Sequence, residues 1–249
     1  MATSRKLSTQ PRIARLTGGA LLCVGVAALS GCQSIVANTT EAAQVRFVDT
    51  SVDAPAMDLY VNGTGAAYNL EYGTSSSYVG VIPGTAQISA ERANTGQVLI
   101  NAHASLAGSH QYTAVVSNRL GSLQENIYPD ALPPTIPGML SVRVLNVADS
   151  GPVDVYLVPG LNALPMASPI ASNLSYTGEA GYVHLSANTS YTVVVFPAGA
   201  APTAANAISV SGITVAGSSG AVRTLVLSDA AKIQGKAVFG FVLDDSEAP

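Results

Sequence analysis

Apolar and polar residues alternate along most of the chain. Met57, Leu59 and Val61 stand at every second position, and the segment 153–157 has the same pattern. Because neighbouring side chains of a strand point to opposite faces, a period of two predicts strands with one buried face. No segment after residue 31 has ten residues of helical periodicity. We expect strands at 44–49, 57–62, 77–82, 85–92, 97–103, 111–117, 141–147, 153–158, 181–186, 190–196, 207–215, 222–228 and 236–243.

An internal repeat divides this pattern. Val45-Arg46-Phe47-Val48-Asp49 recurs 97 residues later as Val142-Arg143-Val144-Leu145-Asn146. A unit of this length is the size of a complete small domain, so the repeat predicts two tandem domains. Five further blocks follow in the same order: Asp58–Val61 with Asp154–Leu157, Asn69–Tyr72 with Asn173–Tyr176, Tyr78-Val79 with Tyr182-Val183, Leu106–Gly108 with Val215–Gly217, and Tyr112–Val116 with Arg223–Leu227.

Strands separated by short turns favour sandwiches over helix-crossed parallel sheets. The sequence therefore predicts an all-β protein with two tandem antiparallel β-sandwich domains, immunoglobulin-like or transthyretin-like, at 44–130 and 139–245. The intervening segment 131–138 is rich in proline and favours extended polyproline II, so we expect a semi-rigid spacer there. Residues 229–245 lie beyond the clear repeat, and we expect them to add an edge strand.

The N-terminus has the pattern of a secretory signal. Residues 1–31 carry four basic residues and no acidic one, and an uncharged run extends from Leu16 to Leu29. This run is shorter than the roughly 20 residues that span a bilayer. Its end, Leu29-Ser30-Gly31-Cys32, resembles the lipobox of bacterial lipoproteins. The resemblance implies that a signal peptide of residues 1–31 is removed and that Cys32 is the lipid attachment site.

The residues after Cys32 extend this expectation. Residues 32–43 are rich in Ser, Thr, Ala and Asn, which favours a short tether between lipid and first domain. In lipoproteins of double-membrane bacteria an Asp after the lipidated cysteine favours the inner membrane. Here the residue is Gln33, so the resemblance implies the outer membrane. Cys23 lies inside the signal and is expected to be inert.

The net charge of the chain limits the classes of partner that can be expected. The whole chain has a formal charge of −4, and loss of residues 1–31 leaves 7 basic against 15 acidic residues, a charge of −8. An acidic body argues against nucleic acid as a partner. No cysteine remains besides Cys32, so a structural disulfide is not expected. The expected partners are the membrane, through the N-terminal lipid, and an envelope protein or glycan.

The repeated arginines and aspartates are candidates for structural ion pairs. Arg46 and Asp58 stand on neighbouring predicted strands, and Arg143 and Asp154 repeat the arrangement. If those strands pair, each arginine can meet its aspartate in a bidentate contact. We expect these pairs to hold the scaffold in place rather than to bind a ligand.

Four tyrosines next to predicted turns are candidates for ligand contact: Tyr72, Tyr78, Tyr176 and Tyr182. Aromatic rings on sandwich loops can stack on sugars or pack on a partner protein. The alternative is that each ring covers one end of its own sandwich.

No catalytic or cofactor motif stands out. His103, His110 and His184 lack metal-ligand spacing, and we expect neither a metal site nor a cofactor. The chain has no Gly-x-Ser-x-Gly elbow and no phosphate-binding loop. Asp49 and Asp53 are expected to accept hydrogen bonds from backbone amides at turns.

The blocks Val-Arg-x-x-Asp/Asn, Asp-x-Tyr, Asn-Leu-x-Tyr and Tyr-Thr-x-Val-Val together resemble the bacterial family known as domain of unknown function 4397. The first half carries the pattern almost completely, whereas the second has Arg223-Thr224 in place of Tyr-Thr. The resemblance implies a fold and an exported location, and it brings no catalytic residues. We therefore expect a lipid-anchored, non-catalytic binding or structural module. An envelope-polymer hydrolase with an unrecognised active site and a passive spacer remain alternatives.

Overall fold

The computed structural model describes residues 41–209, 211–230 and 237–245. The expected signal peptide, the lipobox and Cys32 lie outside these residues. The described part is compact and contains sixteen strands and two short 3-10 helices, at Leu120–Ser122 and Leu161–Met166. The strands are β1 (Ala43–Asp49), β2 (Met57–Val61), β3 (Thr64–Leu70), β4 (Val79–Val81), β5 (Gly84–Arg92), β6 (Gln97–Leu106), β7 (Gln111–Ser117), β8 (Gln124–Pro129), β9 (Met139–Asn146), β10 (Val153–Val158), β11 (Ala171–Leu174), β12 (Gly178–Ser186), β13 (Tyr191–Pro197), β14 (Thr214–Val215), β15 (Val222–Asp229) and β16 (Val238–Asp244).

Each half of the chain forms a sandwich of two four-stranded sheets. In the first sandwich the sheets have the orders β4-β1-β7-β8 and β3-β2-β5-β6, and in the second β12-β9-β15-β16 and β11-β10-β13-β14. The two halves thus repeat one strand order, and the prediction of two tandem β-sandwiches is confirmed. The sheets are not purely antiparallel, because β1 pairs with β7, and β9 with β15, in parallel.

Three strands were not predicted, namely β3, β8 and β11. Strands β3 and β8 lack a strong apolar alternation: β3 begins Thr-Gly-Ala-Ala, and β8 is Gln-Glu-Asn-Ile-Tyr-Pro. All three lie at sheet edges, where a proline and polar side chains are tolerated. The predicted C-terminal edge strand is confirmed as β16. Of the strand expected at 207–215, the described residues form strand β14 at Thr214–Val215 and an isolated bridge between Ser209 and Val238.

Each sandwich has its own apolar core, and strand β1 shows how its sequence serves two surfaces. Val45 and Phe47 are fully buried inside the first sandwich, while Val48, on the other face, is buried among residues of the second. The equivalent strand β9 places Val142 and Val144 inside its own sandwich and Leu145 outside it.

A third apolar cluster lies between the two sandwiches. It joins the outer face of sheet β4-β1-β7-β8 to that of sheet β12-β9-β15-β16 and comprises Val48, Val115, Tyr128, Leu145, Val147, Val226 and Leu243. The two sandwiches therefore pack face to face. The segment 131–138 connects two sandwiches that are in contact with each other, and its semi-rigid character stays a prediction.

Among residues 41–209, 211–230 and 237–245, no helix is long and apolar enough to cross a membrane.

The repeated Ala-Gly motif marks a position where two side chains approach the backbone. A Cβ atom at Gly217 would lie 2.8 Å from the Cβ atom of Ala221 and 2.7 Å from Cδ1 of Leu140. We expect Gly217→Ala to lower the unfolding free energy by about 1–3 kcal/mol through overpacking. Urea unfolding measures this change. Gly181→Ala is the matched control, because nothing lies within 4 Å of a Cβ atom there, and equal losses in the two variants would contradict the packing argument.

Candidate functional site

The predicted pairing of Arg46 with Asp58 and of Arg143 with Asp154 is wrong. Strands β1 and β2 belong to opposite sheets of the first sandwich, as do β9 and β10 in the second. Arg46 leaves the outer face of its sheet and ion-pairs with Asp245, and Arg143 ion-pairs with Asp130. The two arginines therefore reach across to the other sandwich.

Asp58 and Asp154 instead hold loop backbone. The carboxylate of Asp58 accepts hydrogen bonds from the amides of Asn69 at 2.8 Å and Asn94 at 3.1 Å. Asp154 accepts from the amides of Asn173 at 2.7 Å and Gly199 at 2.8 Å. Asp58 and Asp154 thus accept from backbone amides in place of arginines, and their contribution to stability stays a prediction.

The first half of a buried hydrogen-bonded ring begins at Arg46. Its Nε donates to Oγ1 of Thr113 at 2.9 Å, and Thr113 donates to the carboxylate of Asp130 at 2.8 Å. Asp130 also accepts from Nη2 of Arg143. This series of hydrogen bonds thus connects the first sandwich to an arginine of the second.

The second half repeats these contacts. Nε of Arg143 donates to Oγ1 of Thr224 at 2.7 Å, and Thr224 donates to Asp245 at 2.6 Å. Asp245 accepts from Nη2 of Arg46, which closes the cycle. We call the six residues the charged ring: Arg46, Thr113, Asp130, Arg143, Thr224 and Asp245.

The charged ring is almost completely withdrawn from water. The side chains of Arg143, Asp130 and Asp245 are 0% exposed and that of Arg46 is 4% exposed. Burial lowers the pKa of Arg143, but Asp130, Tyr182 and Asp245 more than reverse this and raise it. The ring therefore holds two positive and two negative charges in compensating contact, which is the condition under which buried ions are tolerated.

Two of the four candidate tyrosines, Tyr78 and Tyr182, lie over the arginines of the charged ring. The guanidinium carbon of Arg46 lies 5.0 Å from the ring centre of Tyr78, and that of Arg143 lies 5.5 Å from Tyr182. The hydroxyl of Tyr78 donates to Asp130 at 2.7 Å, and that of Tyr182 donates to Asp245 at 3.0 Å. Burial is the largest cause that raises the pKa of both hydroxyls, so they stay protonated and act as donors.

The other two candidate tyrosines also bridge the sandwiches. Tyr72 donates to the carbonyl of Asp229 at 2.6 Å, and its hydroxyl lies 3.2 Å from Oγ of Ser228. Tyr176 makes the corresponding contacts in the opposite direction, with Ser117 and Gln124, both at 3.0 Å. Each of these four hydroxyls therefore has a partner inside the protein, and contact of the tyrosine rings with a ligand stays a prediction.

Sequence reasoning found the arginines of this site and missed their partners. Thr113 and Thr224 stand in the repeated Tyr-Thr and Arg-Thr blocks, which was an available signal. Asp130 and Asp245 each directly follow the last strand of their half, β8 and β16, of which only β16 was predicted. No local feature of the sequence indicated that each aspartate would pair with the arginine of the other sandwich.

Beside the ring, the first sandwich carries a buried carboxyl that is only half satisfied. Oδ1 of Asp49 accepts from the amide of Ser51 at 2.8 Å, as expected for a turn acceptor. Oδ2 has no hydrogen-bond partner among the described residues, and burial raises the pKa of Asp49 to about 7. At the equivalent position of the second sandwich, Asn146 accepts from the amide of Ala148 and donates to the carbonyl of Leu174 at 2.9 Å.

The histidines do not gather around a metal. Nδ1 of His110 lies 2.8 Å from the carbonyl of Gly108, and Nδ1 of His184 lies 3.0 Å from Oγ of Ser141. In the part of the chain that the structure describes, no three His, Cys, Asp or Glu side chains form a group suited to a metal ion.

Three of the cavities among the described residues bear on possible ligand binding. One of about 780 Å³ lies beside the end of β8, with Glu41, His110 and Leu132 in its wall. A second of about 490 Å³ lies under the 3-10 helix of the second sandwich, and no described side chain in its wall is charged. The third, of about 290 Å³, is polar and lies next to Arg46.

Comparison with known proteins supports the family resemblance for the first half of the chain. The family DUF4397, described as a domain of unknown function, matches residues 43–156. This range contains the first sandwich and extends into strand β10 of the second. No curated protein matches the chain significantly.

Among solved structures, one similar chain is CBMbc, a module of family CBM26 from Eubacterium rectale Amy13K, in complex with maltoheptaose. It is 11% identical, and the match covers 83% of this chain and 98% of that chain with a TM-score of 0.26.

The burial of the charged ring predicts that removing one of its charges strongly lowers the free energy of unfolding. In Arg143→Met, Asp130 stays buried without its cation, and we expect a loss of about 3–5 kcal/mol in the free energy of unfolding by urea. Arg143→Met combined with Asp130→Leu should recover part of this loss, because the stranded charge is also removed.

The control for this experiment is Arg223→Met, which breaks the ion pair with Asp244 at the protein surface. We expect a loss of at most about 1 kcal/mol there, since exposed pairs contribute little. A loss in Arg143→Met no larger than in Arg223→Met would show that the ring is not a major source of stability.

The raised pKa of Asp49 predicts that the free energy of unfolding depends on pH. Its pKa is about 7 in the folded protein against an ordinary value of 3.8, so the folded state keeps a proton that the unfolded chain has released in this interval. The unfolding free energy should therefore fall as the pH rises from about 4 to about 7. Asp49→Asn should remove this contribution and raise stability at pH 8 by about 1–3 kcal/mol, with little change at pH 4.

Two features make this measurement specific. Glu125 is also buried with a pKa of about 7, so part of the slope should persist in Asp49→Asn. The reverse variant Asn146→Asp places an acid where an amide donates to Leu174, and it should lose more stability at pH 8 than at pH 4. Parallel pH profiles for wild type and Asp49→Asn would refute the assignment.

Proposed function

We propose that the protein is a lipid-anchored, non-catalytic module of the cell envelope, tethered through Cys32 to the outer membrane. Its two sandwiches form one rigid body that presents its outer surfaces to an envelope protein or glycan. The observation that carries this proposal is the charged ring, which fixes the sandwiches against each other. A body with a fixed internal geometry suits a structural or binding role at a set distance from a membrane.

The location of the inner sheets limits where a partner can bind. The faces of β4-β1-β7-β8 and β12-β9-β15-β16 that leave their own cores cover each other, together with the tyrosines between them. A partner would therefore meet the outer sheets β3-β2-β5-β6 and β11-β10-β13-β14 or the loops at the sandwich ends. Exposed apolar side chains are present on both halves, including Ile82 in the first and Met166 in the second.

The non-catalytic assignment rests on the chemistry of the described polar groups. The carboxylate of Asp130, which lines the cavity of about 780 Å³ together with His110, is already held by Thr113, Tyr78 and Arg143. It is therefore committed to structure and is a poor general base. His184 contacts a serine hydroxyl and His110 a carbonyl, and neither contact activates a nucleophile as a carboxylate-oriented triad does.

The anchor is tested by changing its cysteine. Cells that produce the full chain are labelled with radioactive palmitate and separated into membrane and soluble fractions. We expect the wild-type protein to be labelled and to sediment with the outer membrane, because two or three acyl chains give durable attachment. Cys32→Ser should lose the label and keep its signal peptide.

Cys23→Ser is the matched control and should behave as wild type, since Cys23 lies within the signal. Gln33→Asp should move the labelled protein to the inner membrane without changing the label. Palmitate label retained in Cys32→Ser would disprove the anchor, and label in the wild type with unchanged sorting in Gln33→Asp would disprove the outer-membrane assignment alone.

A further inference from the structure

The two arginines of the charged ring differ at their outward edge. Arg143 makes four contacts, through Nε with Thr224, through Nη2 with Asp130, and through Nη1 with the carbonyl of Pro129 at 3.0 Å and the carboxylate of Glu179 at 3.2 Å. A guanidinium group has five N–H donors, so this arrangement uses most of them. Glu179 is thus a second acidic partner of Arg143, in addition to Asp130.

Arg46 lacks the equivalent of this second carboxylate. Its Nε and Nη2 contact Thr113 and Asp245 in the same way, and Nη1 has one described acceptor, the carbonyl of Asp244 at 3.2 Å. The position that corresponds to Glu179 is Ser75. Strand pairing establishes this correspondence, because Ser75 lies opposite Val48, as Glu179 lies opposite the equivalent Leu145.

A polar cavity occupies the space that the shorter side chain leaves. Its volume is about 290 Å³, and its wall includes Arg46, Ser75, Ser76, Ser77 and Tyr78. In the described part of the chain, no hydrogen bond to another residue involves the hydroxyls of Ser75 or Ser77. Arg46 is 4% exposed here, whereas Arg143 beneath Glu179 is 0% exposed.

From this difference between the halves, we propose that the cavity is a binding site for a small carboxylate. The ligand's carboxylate pairs with Nη1 of Arg46, as Glu179 pairs with Nη1 of Arg143, and the hydroxyls of Ser75 and Ser77 donate to its oxygens. The cavity volume lies just below the range of about 300–1,000 Å³ that is typical of ligand sites, so the site takes a short acid or the carboxyl end of a longer chain. This site is independent of the lipid anchor and of the proposed envelope role.

Local charge is compatible with this ligand. The four ionised residues of the charged ring sum to zero, and Tyr78 and Tyr182 are neutral donors. Asp244 also lines the cavity, but its carboxylate is paired with Arg223. An added carboxylate would therefore reproduce in the first sandwich the net charge that Glu179 already gives the second.

The test uses the full-length protein in detergent solution at constant ionic strength. Acetate, N-acetyl-alanine and the uncharged N-acetyl-alaninamide are titrated while the melting temperature and the backbone amide NMR signals of 75–78 are followed. We expect saturable binding of both acids with a Kd of about 1 mM and no response to the amide. Tighter binding of N-acetyl-alanine than of acetate would identify a chain terminus as the preferred source, and the reverse order a free small acid.

Two variants each give one sandwich the residue that the other sandwich has at the equivalent position. Ser75→Glu supplies the missing carboxylate internally, so it should raise the melting temperature and weaken acetate binding at least tenfold. Glu179→Ser should create a second site, with new acetate-dependent shifts in the signals of 179–182. Ser105→Glu, which adds the same charge on the exposed face of β6, should keep wild-type binding.

Several results would overturn the proposal: no saturable response to either acid in the wild type, undiminished acetate binding in Ser75→Glu, or no second site in Glu179→Ser. None of these results depends on whether Cys32 is lipidated.

Discussion

The exchange of carboxylates between the sandwiches is the constraint on which this structure depends. Each arginine lies on the first strand of its own half, and each finds its buried aspartate at the end of the other half. Removing a charge from water costs several kcal/mol, and only a partner in direct contact offsets that cost. Each arginine therefore has its direct anionic partner in the other sandwich, which favours a single relative arrangement of the two halves.

The apolar cluster around the charged ring and the tyrosines that cover this ring also hold the two sandwiches together. Val48, Val115 and Tyr128 meet Leu145, Val226 and Leu243 between the sheets, and this burial supplies favourable energy without specifying an exact register. The hydrogen bonds of the ring supply the register, because each threonine must accept from an arginine and donate to an aspartate. Apolar association and polar specificity are thus divided between neighbouring residues of the same strands.

Much of the fold was predictable from the sequence, because alternation and repetition are local signals. The spacing of Val45 and Phe47, repeated at Val142 and Val144, correctly indicated strands with a core face, and the repeat indicated two sandwiches. Strands β8 and β11 escaped prediction because short edge strands carry few buried positions. The partners of Arg46 and Arg143 escaped for a different reason. Which sheet a strand joins, and which residue 199 positions away lies opposite, is decided by tertiary packing that no local pattern records.

The reciprocal ion pairs between the two sandwiches resemble those of a symmetric homodimer, although they occur within one chain. In such a dimer the same patch serves both subunits, so that residue i meets j and residue j meets i. Here Arg46 meets Asp245 while Arg143 meets Asp130, and the two sandwiches share one strand order. The segment 131–138 then serves as a covalent link between two protomers. It makes their association independent of protein concentration, because the partner sandwich is always present at the other end of the link.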